Sequence, residues 1–565
     1  MSGLSSTRNP ERRGGSEVGV TRPLPLLKPE TKFFWTAGRE GELRFQRCGG
    51  CSALLHPPGP ICPYCRSRDI GTASVSGRGV ICGFTINHHP WLASFPPPYV
   101  VAIVAIDEDP RVRLTTNIVG CAPEDVFVGM RVKTRFERHG DVWFPLFETT
   151  REAEPGPLPE PEPVQPFVRP MACPEKFEER VAITGIGMSQ VGRRLMVDPL
   201  SLTVDACLEA VDDAGLRLED IDGLSTYPGG QSGPYGEGGI TAVEEALRLR
   251  PTWFNGGVEA AGQTGSVVAA MLAVAAGLCR HVLCFRTVWT TTYKELGRAS
   301  QIMDPQDRIT DDMMVWRVPF GASSAANWIA MQASHHFHRY GTTREALGRI
   351  AINARANAAR NPAAIYRQPL TMDDYMSGRM ITTPFGLYDC DVPCDGSVAV
   401  IVSAIDAARD LPKPPVLVEA VGTQIIDRVS WDQGTLEYEP QVLGPAAHLW
   451  SRTSLRPADV DVAELYDGFT FNCLTWLEAL GFCEVGEAKD FLGDGKRIAL
   501  DGDLPLNTHG GQLSGGRTHG YGFLHEAVVQ LRGEGGDRQV RGAEVAVLSS
   551  GGGTPGGCML LTRAR

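Results

Sequence analysis

Short segments in which apolar and polar residues alternate follow one another between residues 80 and 147, and turn-rich pieces separate them. Alternation with a period of two is typical of strands that bury one face. Several short strands at this spacing predict a small β-barrel. The predicted strands are Val80–Ile86, Tyr99–Ile106, Val112–Ile118, Arg131–Glu137 and Val142–Phe147.

The pattern changes after residue 179, where strand-like apolar runs alternate with segments of helical spacing. Leu202–Ala214 and Ser266–Gly277 have the apolar spacing of helices that pack on a sheet. The second segment is almost wholly apolar and small, which predicts a buried central helix. Val181–Gly187 predicts a strand that runs into glycines, but Gln190 stands where a dinucleotide-binding fingerprint needs its third glycine. A dinucleotide site is therefore disfavoured.

The second part of the chain contains an internal echo. Leu216–Asp222 matches Leu455–Asp461, and each is followed by an apolar, strand-like run and a polar loop. Such a repeat predicts a duplicated α/β unit.

Proline-rich composition marks the boundaries of the predicted domains. The stretch from residue 151 to 171 holds seven prolines and predicts an extended, semi-rigid spacer. The first 30 residues are polar and rich in glycine and proline, and we expect them to be disordered. The predicted order is a disordered segment (1–30), a first domain (31–150), a linker (151–178) and a second domain (179–565) with halves at about 179–410 and 411–565.

The length of the chain indicates more than one domain, and its charge argues against several classes of binding partner. A chain of 565 residues is expected to have at least two cores. A formal net charge of −12 argues against nucleic-acid or anionic-membrane binding, since both need a basic surface. No uninterrupted apolar run reaches the roughly 18 residues that span a bilayer, and the first 19 residues lack an apolar signal region. We therefore expect a cytoplasmic location and no membrane or nucleic-acid partner.

Four of the fifteen cysteines form a separate pattern. Two residues separate Cys48 from Cys51 and Cys62 from Cys65, and ten residues separate the two pairs. Such knuckles can place four thiolates tetrahedrally around Zn²⁺. Four thiolates leave no open coordination position, so the predicted zinc is structural. Without a secretion signal, we expect the remaining cysteines to stay reduced.

Three loops near the end of the chain combine glycines with polar side chains. They are Glu464–Phe469, Leu506–Gly522 and Ser549–Gly557, and we interpret all three as following apolar, strand-like runs. Glycine lets the backbone approach a ligand closely and adopt positive φ. The arrangement predicts an active site at strand ends.

The order of these loops resembles the C-terminal half of the thiolase superfamily. There an Asn-Glu-Ala-Phe or His-Asp-Cys-Phe loop, a Gly-His-Pro loop and a Cys-x-Gly-Gly-Gly loop converge on an acyl-CoA thioester. The chain differs at the catalytic positions: Tyr466 replaces the Asn or His, Arg517 the His, and Ser549 or Ser550 the second cysteine. Gly262 stands where sterol-carrier-type thiolases have the nucleophilic cysteine. Claisen chemistry through an acyl-enzyme is therefore disfavoured.

The replacements resemble the lipid-transfer-protein-type aldolases of bacterial steroid side-chain degradation. The resemblance rests on Tyr466–Phe469, Gly510–Gly522 and Leu387–Gly396, and it covers about residues 180 to 565. It implies a duplicated five-layer αβαβα fold, retro-aldol cleavage of a tertiary β-hydroxyacyl-CoA, and a homodimer. The products would be a ketone and propionyl-CoA or acetyl-CoA.

The first domain resembles the rubredoxin-like zinc-ribbon and OB-fold family that accompanies thiolase-like acyl-CoA proteins. In the aldolases this module is usually a separate chain, whereas here it is fused. The resemblance leaves open whether the barrel docks on its own chain or on a neighbour's. It also makes an acyl-CoA dehydrogenase or hydratase a candidate partner.

Retro-aldol cleavage needs a base for the β-hydroxyl, donors for the thioester enolate and an acid for Cα. The resemblance assigns proton transfer to Tyr466 and Tyr521, without deciding which is the base. Arg517 and His519 are candidates to stabilise a phenolate, and Asp467 to orient a partner. The predicted glycines that line the oxyanion or coenzyme A site are Gly262, Gly510, Gly511, Gly551, Gly552 and Gly553.

A second hypothesis is a non-catalytic acyl-CoA or lipid carrier, or a scaffold, built on an inactive thiolase. Catalytic positions replaced by tyrosines, not by inert alanines, favour the enzyme. Cys390 and Cys394 are expected to be buried thiols, not metal ligands. His335, His336 and His338 are expected at the surface or an interface.

Overall fold

The computed structural model begins with a small antiparallel sheet preceded by one helical turn. The sheet has the order β2-β1-β3, and β1 pairs with both neighbours. The elements are α1 (Lys32–Thr36), β1 (Leu43–Cys48), β2 (Leu54–Leu55) and β3 (Ile70–Val75). The structure describes residues 21–150, 156–159, 167–172, 174–228, 232–233, 236–257, 259–297, 308–310, 313–428, 430–436, 440–551 and 555–564.

The next five strands close into the predicted barrel. Their order is β4-β5-β6-β8-β7, and β7 pairs back to β4. Each predicted strand lies within an observed one, because one face of every strand is buried in the barrel core. The strands are β4 (Arg78–Asn87), β5 (Tyr99–Ile106), β6 (Asp109–Val119), β7 (Arg131–His139) and β8 (Val142–Thr149).

The larger domain is built on a nine-stranded mixed sheet covered by helices. The strands after the barrel are β9 (Val181–Met188), β10 (Gly223–Thr226), β11 (Ser232–Gly233), β12 (Gly236–Glu237), β13 (Trp253–Asn255), β14 (His281–Trp289), β15 (Met380–Thr382), β16 (Phe385–Gly386), β17 (Asp395–Ala404), β18 (Val416–Gly422), β19 (Val462–Glu464), β20 (Val545–Ser550) and β21 (Gly557–Arg563). The helices are α2 (Pro199–Asp213), α3 (Gly239–Leu247), α4 (Gly265–Ala275), α5 (Thr290–Glu295), α6 (Ala325–Tyr340), α7 (Arg344–Ala358), α8 (Met372–Ser377), α9 (Ile405–Ala408), α10 (Pro440–Trp450), α11 (Thr470–Ala479), α12 (Ala488–Leu492) and α13 (Gly520–Arg532).

The topology of this sheet shows the duplication. Its order is β13-β10-β14-β17-β9-β18-β21-β20-β19, so the two halves meet at β9 and β18. In the first half β17 runs antiparallel to β14 and β9, while β10 and β14 are parallel. In the second half β21 runs antiparallel to β20 and β18, while β19 and β20 are parallel. Strand order and direction are therefore repeated, as in thiolase-like folds.

The sequence echo corresponds to one local structure used twice. The backbone N–H of Arg217 donates to Asp220 at 2.9 Å, and that of Arg456 donates to Asp459 at 2.7 Å. Both bonds close a 3-10 turn just before an equivalent strand, β10 or β19. The prediction of a duplicated unit is confirmed.

The two helices predicted from apolar spacing are α2 and α4. Asp198 caps α2 by accepting from Ser201 N at 3.1 Å. Helix α4 is buried along most of its length, but Leu272 is 50% exposed. The expected central helix is thus covered on most, not all, of its surface within one chain.

The barrel docks on the larger domain of its own chain, which the sequence left open. Thr382 of β15 pairs with Asn87 of β4, so the sheet of the barrel continues into the larger domain. Strand β5 is buried on both faces for this reason: Val101 and Ile103 pack with Met331 of α6, outside the barrel core.

A buried ion pair of the larger domain lies at the same contact and bonds the barrel through Thr115. Asp432 accepts from Arg317 Nη2 at 3.0 Å and from Thr115 Oγ1, on β6 of the barrel, at 2.8 Å. Burial opposes ionisation of Asp432, but Arg317 and Thr115 outweigh it, so its pKa lies below the usual value. Removing one partner of such a pair leaves a buried charge, which costs about 3–5 kcal/mol.

The three histidines of α6 differ in environment. His335 Nδ1 bonds Cys82 O of the barrel at 2.8 Å, which is the expected interface position. His338 is exposed. His336 is buried and bonds Glu478 at 3.3 Å, so the expectation of a surface or interface position is wrong for this residue.

The segments predicted as a disordered terminus and a linker are described in part. Residues 1–20 lie outside the described residues. From residue 21 the chain is packed: buried Arg22 donates to Asn117 Oδ1 at 2.7 Å and to Pro319 O at 2.9 Å. The predicted disorder therefore does not extend to residue 30. In the linker, Gly156 N donates to Gly129 O at 2.8 Å, which places residues 156–159 along the barrel.

Candidate functional site

Four cysteine sulfurs of the small sheet lie within 4.8 Å of one another. Cys48 Sγ is 3.4 Å from Cys65 Sγ, and Cys51 Sγ is 3.6 Å from Cys62 Sγ. Tetrahedral Zn²⁺ with Zn–S bonds of about 2.3 Å holds its sulfurs about 3.8 Å apart, so this donor set fits zinc. Four thiolate ligands close the coordination shell, and the site is structural.

The glycine-rich loops of the larger domain come together at the ends of β19 and β20, with the Leu387–Gly396 segment between them. Asp391 N donates to Gly468 O at 3.0 Å, and Val392 N donates to Gln512 O at 2.9 Å. Arg517 N in turn donates to Val392 O at 2.9 Å. The motifs singled out in the sequence therefore share one site.

Asp467 holds two of these loops together. Its buried carboxylate accepts from Gln512 N at 2.7 Å and from Asn507 Nδ2 at 3.0 Å. A side chain on Gly511 would overlap Asp467 Oδ2, and Gly511 has a φ of +56°. Burial raises the pKa of Asp467 to about 7. The structure thus gives Asp467 a place in the loop framework, and it explains Gly511 by packing against that carboxylate.

Tyr466 lies beneath the loops, with 4% of its surface exposed. Its backbone N–H donates to Ser549 Oγ at 2.9 Å, so Ser549 has a structural partner. Burial raises the pKa of Tyr466, the Asp391 charge raises it further, and Arg517 offsets part of the effect. Tyr466 is therefore a protonated phenol at neutral pH, suited to donating a proton.

Tyr521 lies in the first turn of α13 and is fully buried. Its hydroxyl is 2.7 Å from Ser266 Oγ, at the start of α4. Ser266 Oγ donates to Gln263 O at 2.9 Å, so in this arrangement the Tyr521 hydroxyl is the donor to Ser266. If Tyr521 loses its proton, the Ser266 hydroxyl can rotate and donate to the phenolate.

Gly262 lies against the third loop. A side chain at this residue would overlap Ser550 Oγ, and Gly262 has a φ of +65°. Ser550 Oγ is also 2.6 Å from Thr264 Oγ1. Gly520 packs on the other side of Ser550, where a side chain would overlap Ser550 Cβ. Ser550 therefore fills the space that a side chain at residue 262 would need.

Arg517 and Asp391 form the charged part of the site. Arg517 Nη1 lies 3.4 Å from Asp391 Oδ1, and its Nη2 lies 3.4 Å from Thr290 Oγ1. Burial raises the pKa of Asp391, and Arg517 opposes that shift. The contacts are long for an ion pair, and they leave Arg517 close enough to Tyr466 to influence its ionisation.

His519 is half-buried and accepts a hydrogen bond from Arg286 Nη2 at its Nδ1, over 2.7 Å. Burial and then the charges of Arg286 and Arg517 hold the pKa of His519 well below its usual value. His519 is therefore a neutral imidazole. Of the two residues predicted to stabilise a phenolate, Arg517 carries a positive charge and His519 can act only as an N–H donor.

The remaining glycines that were predicted to line the oxyanion or coenzyme A site lie in different surroundings. Gly510, with φ of +103°, packs on Ala358 of α7, which would clash with any side chain there. Gly551 is buried with φ of +129°. Gly552 and Gly553 lie outside the described residues.

Sequence reasoning missed three residues at this site: Arg286, Asp391 and Ser266. Arg286 is the one strongly basic residue of β14, whose nine residues are otherwise mostly apolar and all buried. A buried charge is rarely tolerated without a partner, so a single arginine in an apolar strand could have indicated that Arg286 is a functional residue.

Cys390 and Cys394 lie at the site, and burial raises both thiol pKa values, as expected for inert thiols. Among the described residues no helix has the length and apolar character required to cross a bilayer.

Three separate parts of the chain match known domain families. Residues 35–71 match the rubredoxin-like zinc ribbon domain of ChsH2, and residues 73–137 match its C-terminal OB-fold domain. Residues 444–558 match the thiolase C-terminal domain-like family.

Two relatives and one solved structure are similar over the larger domain's length. A steroid side-chain-cleaving aldolase of Thermomonospora curvata is 36% identical over 359 residues, which are 62% of this chain and 90% of the relative. A 17-hydroxy-3-oxo-4-pregnene-20-carboxyl-CoA lyase of Mycobacterium tuberculosis is 34% identical over 387 residues, 68% of this chain and 99% of the relative. The structure of an Ltp2-ChsH2(DUF35) aldolase superposes with a TM-score of 0.60 at 34% identity, over 68% of this chain and 98% of that one.

Proposed function

The chain belongs to the family of thiolase-like, steroid side-chain-cleaving aldolases, and on that premise we propose that it breaks the Cα–Cβ bond of a β-hydroxyacyl-CoA by a retro-aldol reaction. The observation that carries the proposal is that two buried tyrosines, Tyr466 and Tyr521, adjoin the same end of β20: Tyr466 N bonds Ser549, and Gly520, next to Tyr521, packs on Ser550. Space for a nucleophilic side chain at Gly262 is filled by Ser550, which argues against an acyl-enzyme.

The electrostatic surroundings suggest different roles for the two tyrosines. Tyr466 lies near the carboxylates of Asp391 and Asp467, which disfavour a phenolate, and so it is the better proton donor. Tyr521 has the Ser266 hydroxyl beside it, which can donate to a phenolate. We therefore assign Tyr521 as the base and Tyr466 as the acid.

The reaction balances with these two groups. The Tyr521 phenolate takes the proton of the β-hydroxyl, the C–O bond becomes a carbonyl, and the Cα–Cβ electrons move into the thioester to form an enolate. Tyr466 then protonates Cα, which releases the shortened acyl-CoA. Arg517 lies within reach to stabilise the Tyr466 phenolate that results. Tyr521 then releases its proton to solvent and Tyr466 takes one up, which restores the starting state.

The substrate class follows from the named function of the Mycobacterium relative. We propose a 17-hydroxy steroid with a C22 coenzyme A thioester, cleaved to a 17-ketone and propionyl-CoA; a shorter side chain would release acetyl-CoA. The test is incubation of zinc-loaded protein with this thioester, with both products followed by liquid chromatography. Tight binding without turnover, on this and on shorter branched β-hydroxyacyl-CoAs, would instead favour the carrier.

The exposed edge of the large sheet supports a homodimer. Strand β13 is an outer strand, with Phe254 67% exposed, and Leu272 and Leu278 at and beyond the end of α4 are 50% and 56% exposed. An edge that no other strand of the described residues pairs with, beside exposed leucines, fits a second copy of the chain. Leu272→Glu should shift the molar mass measured by light scattering toward the monomer, whereas Leu208→Glu, an exposed leucine on α2, should not. A wild-type monomer would refute the proposal.

Location and pathway partners remain proposals as well. A cytoplasmic location is supported by the zinc-ribbon cysteines, which must stay reduced to bind metal. An acyl-CoA hydratase is a suitable partner because it would form the β-hydroxyacyl-CoA by adding water to an enoyl-CoA, and an acyl-CoA dehydrogenase would form that enoyl-CoA.

A further inference from the structure

Arg286 occupies an unusual position for a basic residue. It lies in β14, where every residue is buried, and only 3% of its own surface is exposed. Its Nη1 donates to Tyr227 O at 2.6 Å, just beyond the end of the neighbouring parallel strand β10. Two parallel strands thus anchor the guanidinium at the edge of the sheet that faces the active-site loops. Burying a charge there is costly, which indicates a specific task.

The second donor of this guanidinium determines the proton position on His519. Arg286 Nη2 lies 2.7 Å from His519 Nδ1. A guanidinium in a protein is always protonated and can only donate, so Nδ1 must accept. The single ring proton of the neutral imidazole is then on Nε2. A cationic His519 would place two N–H groups against one another and is disfavoured.

The backbone of His519 is held in place at some cost. Its φ of +52° with ψ of −171° lies in a region that residues other than glycine rarely adopt. The next residue, Gly520, packs against Ser550 with no room for a side chain. His519 therefore lies between Arg517 and Tyr521 in a fixed, strained conformation, half-buried among buried neighbours. Strain of this kind persists where the surrounding structure requires it, commonly at active sites.

We propose that Arg286 is a positioning residue that holds His519 as the neutral Nε2–H tautomer, so that His519 donates a hydrogen bond to the thioester oxygen while the Cα–Cβ bond breaks. This inference rests on the proposed aldolase function. His519 transfers no proton; it stabilises negative charge on the enolate oxygen, while the tyrosines move the protons. A neutral donor also places no second positive charge beside Arg517.

The tautomer can be measured without substrate. Long-range ¹⁵N–¹H spectra of protein labelled at histidine distinguish a protonated from an unprotonated ring nitrogen, and His519→Gln identifies the His519 signals. We expect Nε2–H with an unprotonated Nδ1 from pH 5.5 to 8 in the wild type. Arg286→Lys, which keeps a charged donor, should preserve this tautomer, and Arg286→Met should give a mixture of tautomers.

The kinetic test uses the same variants. Loss of one donor to a developing oxyanion lowers kcat by about 10²–10³-fold, and we expect this of His519→Gln with little change in KM. Arg286→Met should lower kcat about 10–100-fold. The double variant should be no slower than His519→Gln, because both changes act on the same hydrogen bond, from His519 to the thioester oxygen. Arg286→Lys should retain most of the activity.

Several outcomes would overturn the inference. A wild-type His519 with a proton on Nδ1, or one that becomes an imidazolium between pH 6 and 8, contradicts it, as does an unchanged tautomer in Arg286→Met. Losses that add up fully in the double variant would give Arg286 only a structural role. If Arg286→Met does not fold, the wild-type and Arg286→Lys spectra still decide. Failure of the aldolase function would be seen as absent cleavage by the wild type, independently of the tautomer.

Discussion

Gly262 and Ser550 are packed so closely that any side chain at residue 262 would overlap the Ser550 hydroxyl. A hydrogen bond holds the Ser550 hydroxyl in place, because it lies 2.6 Å from Thr264 Oγ1. This bond also fixes the loop that leads into α4. The position at which the resemblance to thiolases expects a nucleophilic cysteine thus lacks both the thiol and the room for one. This relationship separates the chain from acyl-transferring thiolases more firmly than the substitution alone.

Restoring the cysteine should therefore damage the protein without creating a thiolase. Gly262→Cys forces a side chain into positive φ and overpacks the Ser550 contact, with a combined cost of about 2–5 kcal/mol. Thermal unfolding should show a lower midpoint, and assays of thiolysis should show no activity. Gly277→Cys is the matched control, because Gly277 has a φ of +75° with open space around it. Equal midpoints for the two variants would contradict the packing argument.

Ser266 is predicted to support Tyr521 during proton transfer. Ser266→Ala removes the hydroxyl that lies 2.7 Å from the phenol, and kcat should fall about 10–100-fold with KM nearly unchanged. Ser225→Ala is the control, since the Ser225 hydroxyl bonds the backbone carbonyl of Ser266 and not Tyr521. If both variants lose the same activity, the effect is structural and the role assigned to Ser266 is wrong.

The stability of the site loops should depend on pH through Asp467. Burial raises its pKa to about 7, above that of an aspartate in the unfolded chain, so between about pH 4 and 7 the folded state binds the extra proton. Stability from this group is therefore lost as pH rises, by at most about 1.4 kcal/mol per pH unit.

Asp467→Asn removes this dependence. The difference in unfolding midpoint between wild type and Asp467→Asn should move in the variant's favour from pH 5 to 7. A difference that stays constant over this range would show that Asp467 is ionised in the folded protein throughout.

Removing zinc should unfold the small sheet and weaken the contact of the barrel with the larger domain. His56 of this unit packs edge-on against Trp316 of the larger domain, and Phe45 packs edge-on against His56. Metal analysis should find one zinc per chain, and Cys65→Ser should lose the metal and lower the unfolding midpoint. Cys121→Ser changes a half-buried cysteine outside the cluster, and it should keep the zinc and the wild-type unfolding midpoint. Zinc retained at full occupancy by Cys65→Ser would argue against the four-cysteine site.

Local patterns in the sequence predicted much of the fold. The barrel strands were predictable because alternation of apolar and polar residues indicates which face of a strand is buried. The similarity of Leu216–Asp222 to Leu455–Asp461 indicated the duplication. The packing of β5 on a second domain was not identified from the sequence, although Tyr99–Ile106 is a continuous apolar run, the pattern of a strand that is buried on both faces.

The site was predictable as a set of motifs but not as a set of contacts. Ser266 and Tyr521 are 255 residues apart, and Arg286 and His519 are 233 apart, so their hydrogen bonds depend on the order of strands in the sheet. The glycine at residue 511 looked like a ligand contact, whereas the structure explains it by the carboxylate of Asp467. The charge state of His519 likewise depends on Arg286, which no local motif includes.

Cleavage of the 17-hydroxy steroid C22 thioester in deuterated water tests the central claim most directly. The account predicts a 17-ketone and propionyl-CoA with one deuterium at C2, because the enolate carbon takes its proton from Tyr466, which exchanges with solvent. Tyr466→Phe and Tyr521→Phe should each remove this product while leaving the unfolding midpoint nearly unchanged. Release of the free steroid acid, propionyl-CoA without deuterium, or full activity in either tyrosine variant would contradict the account.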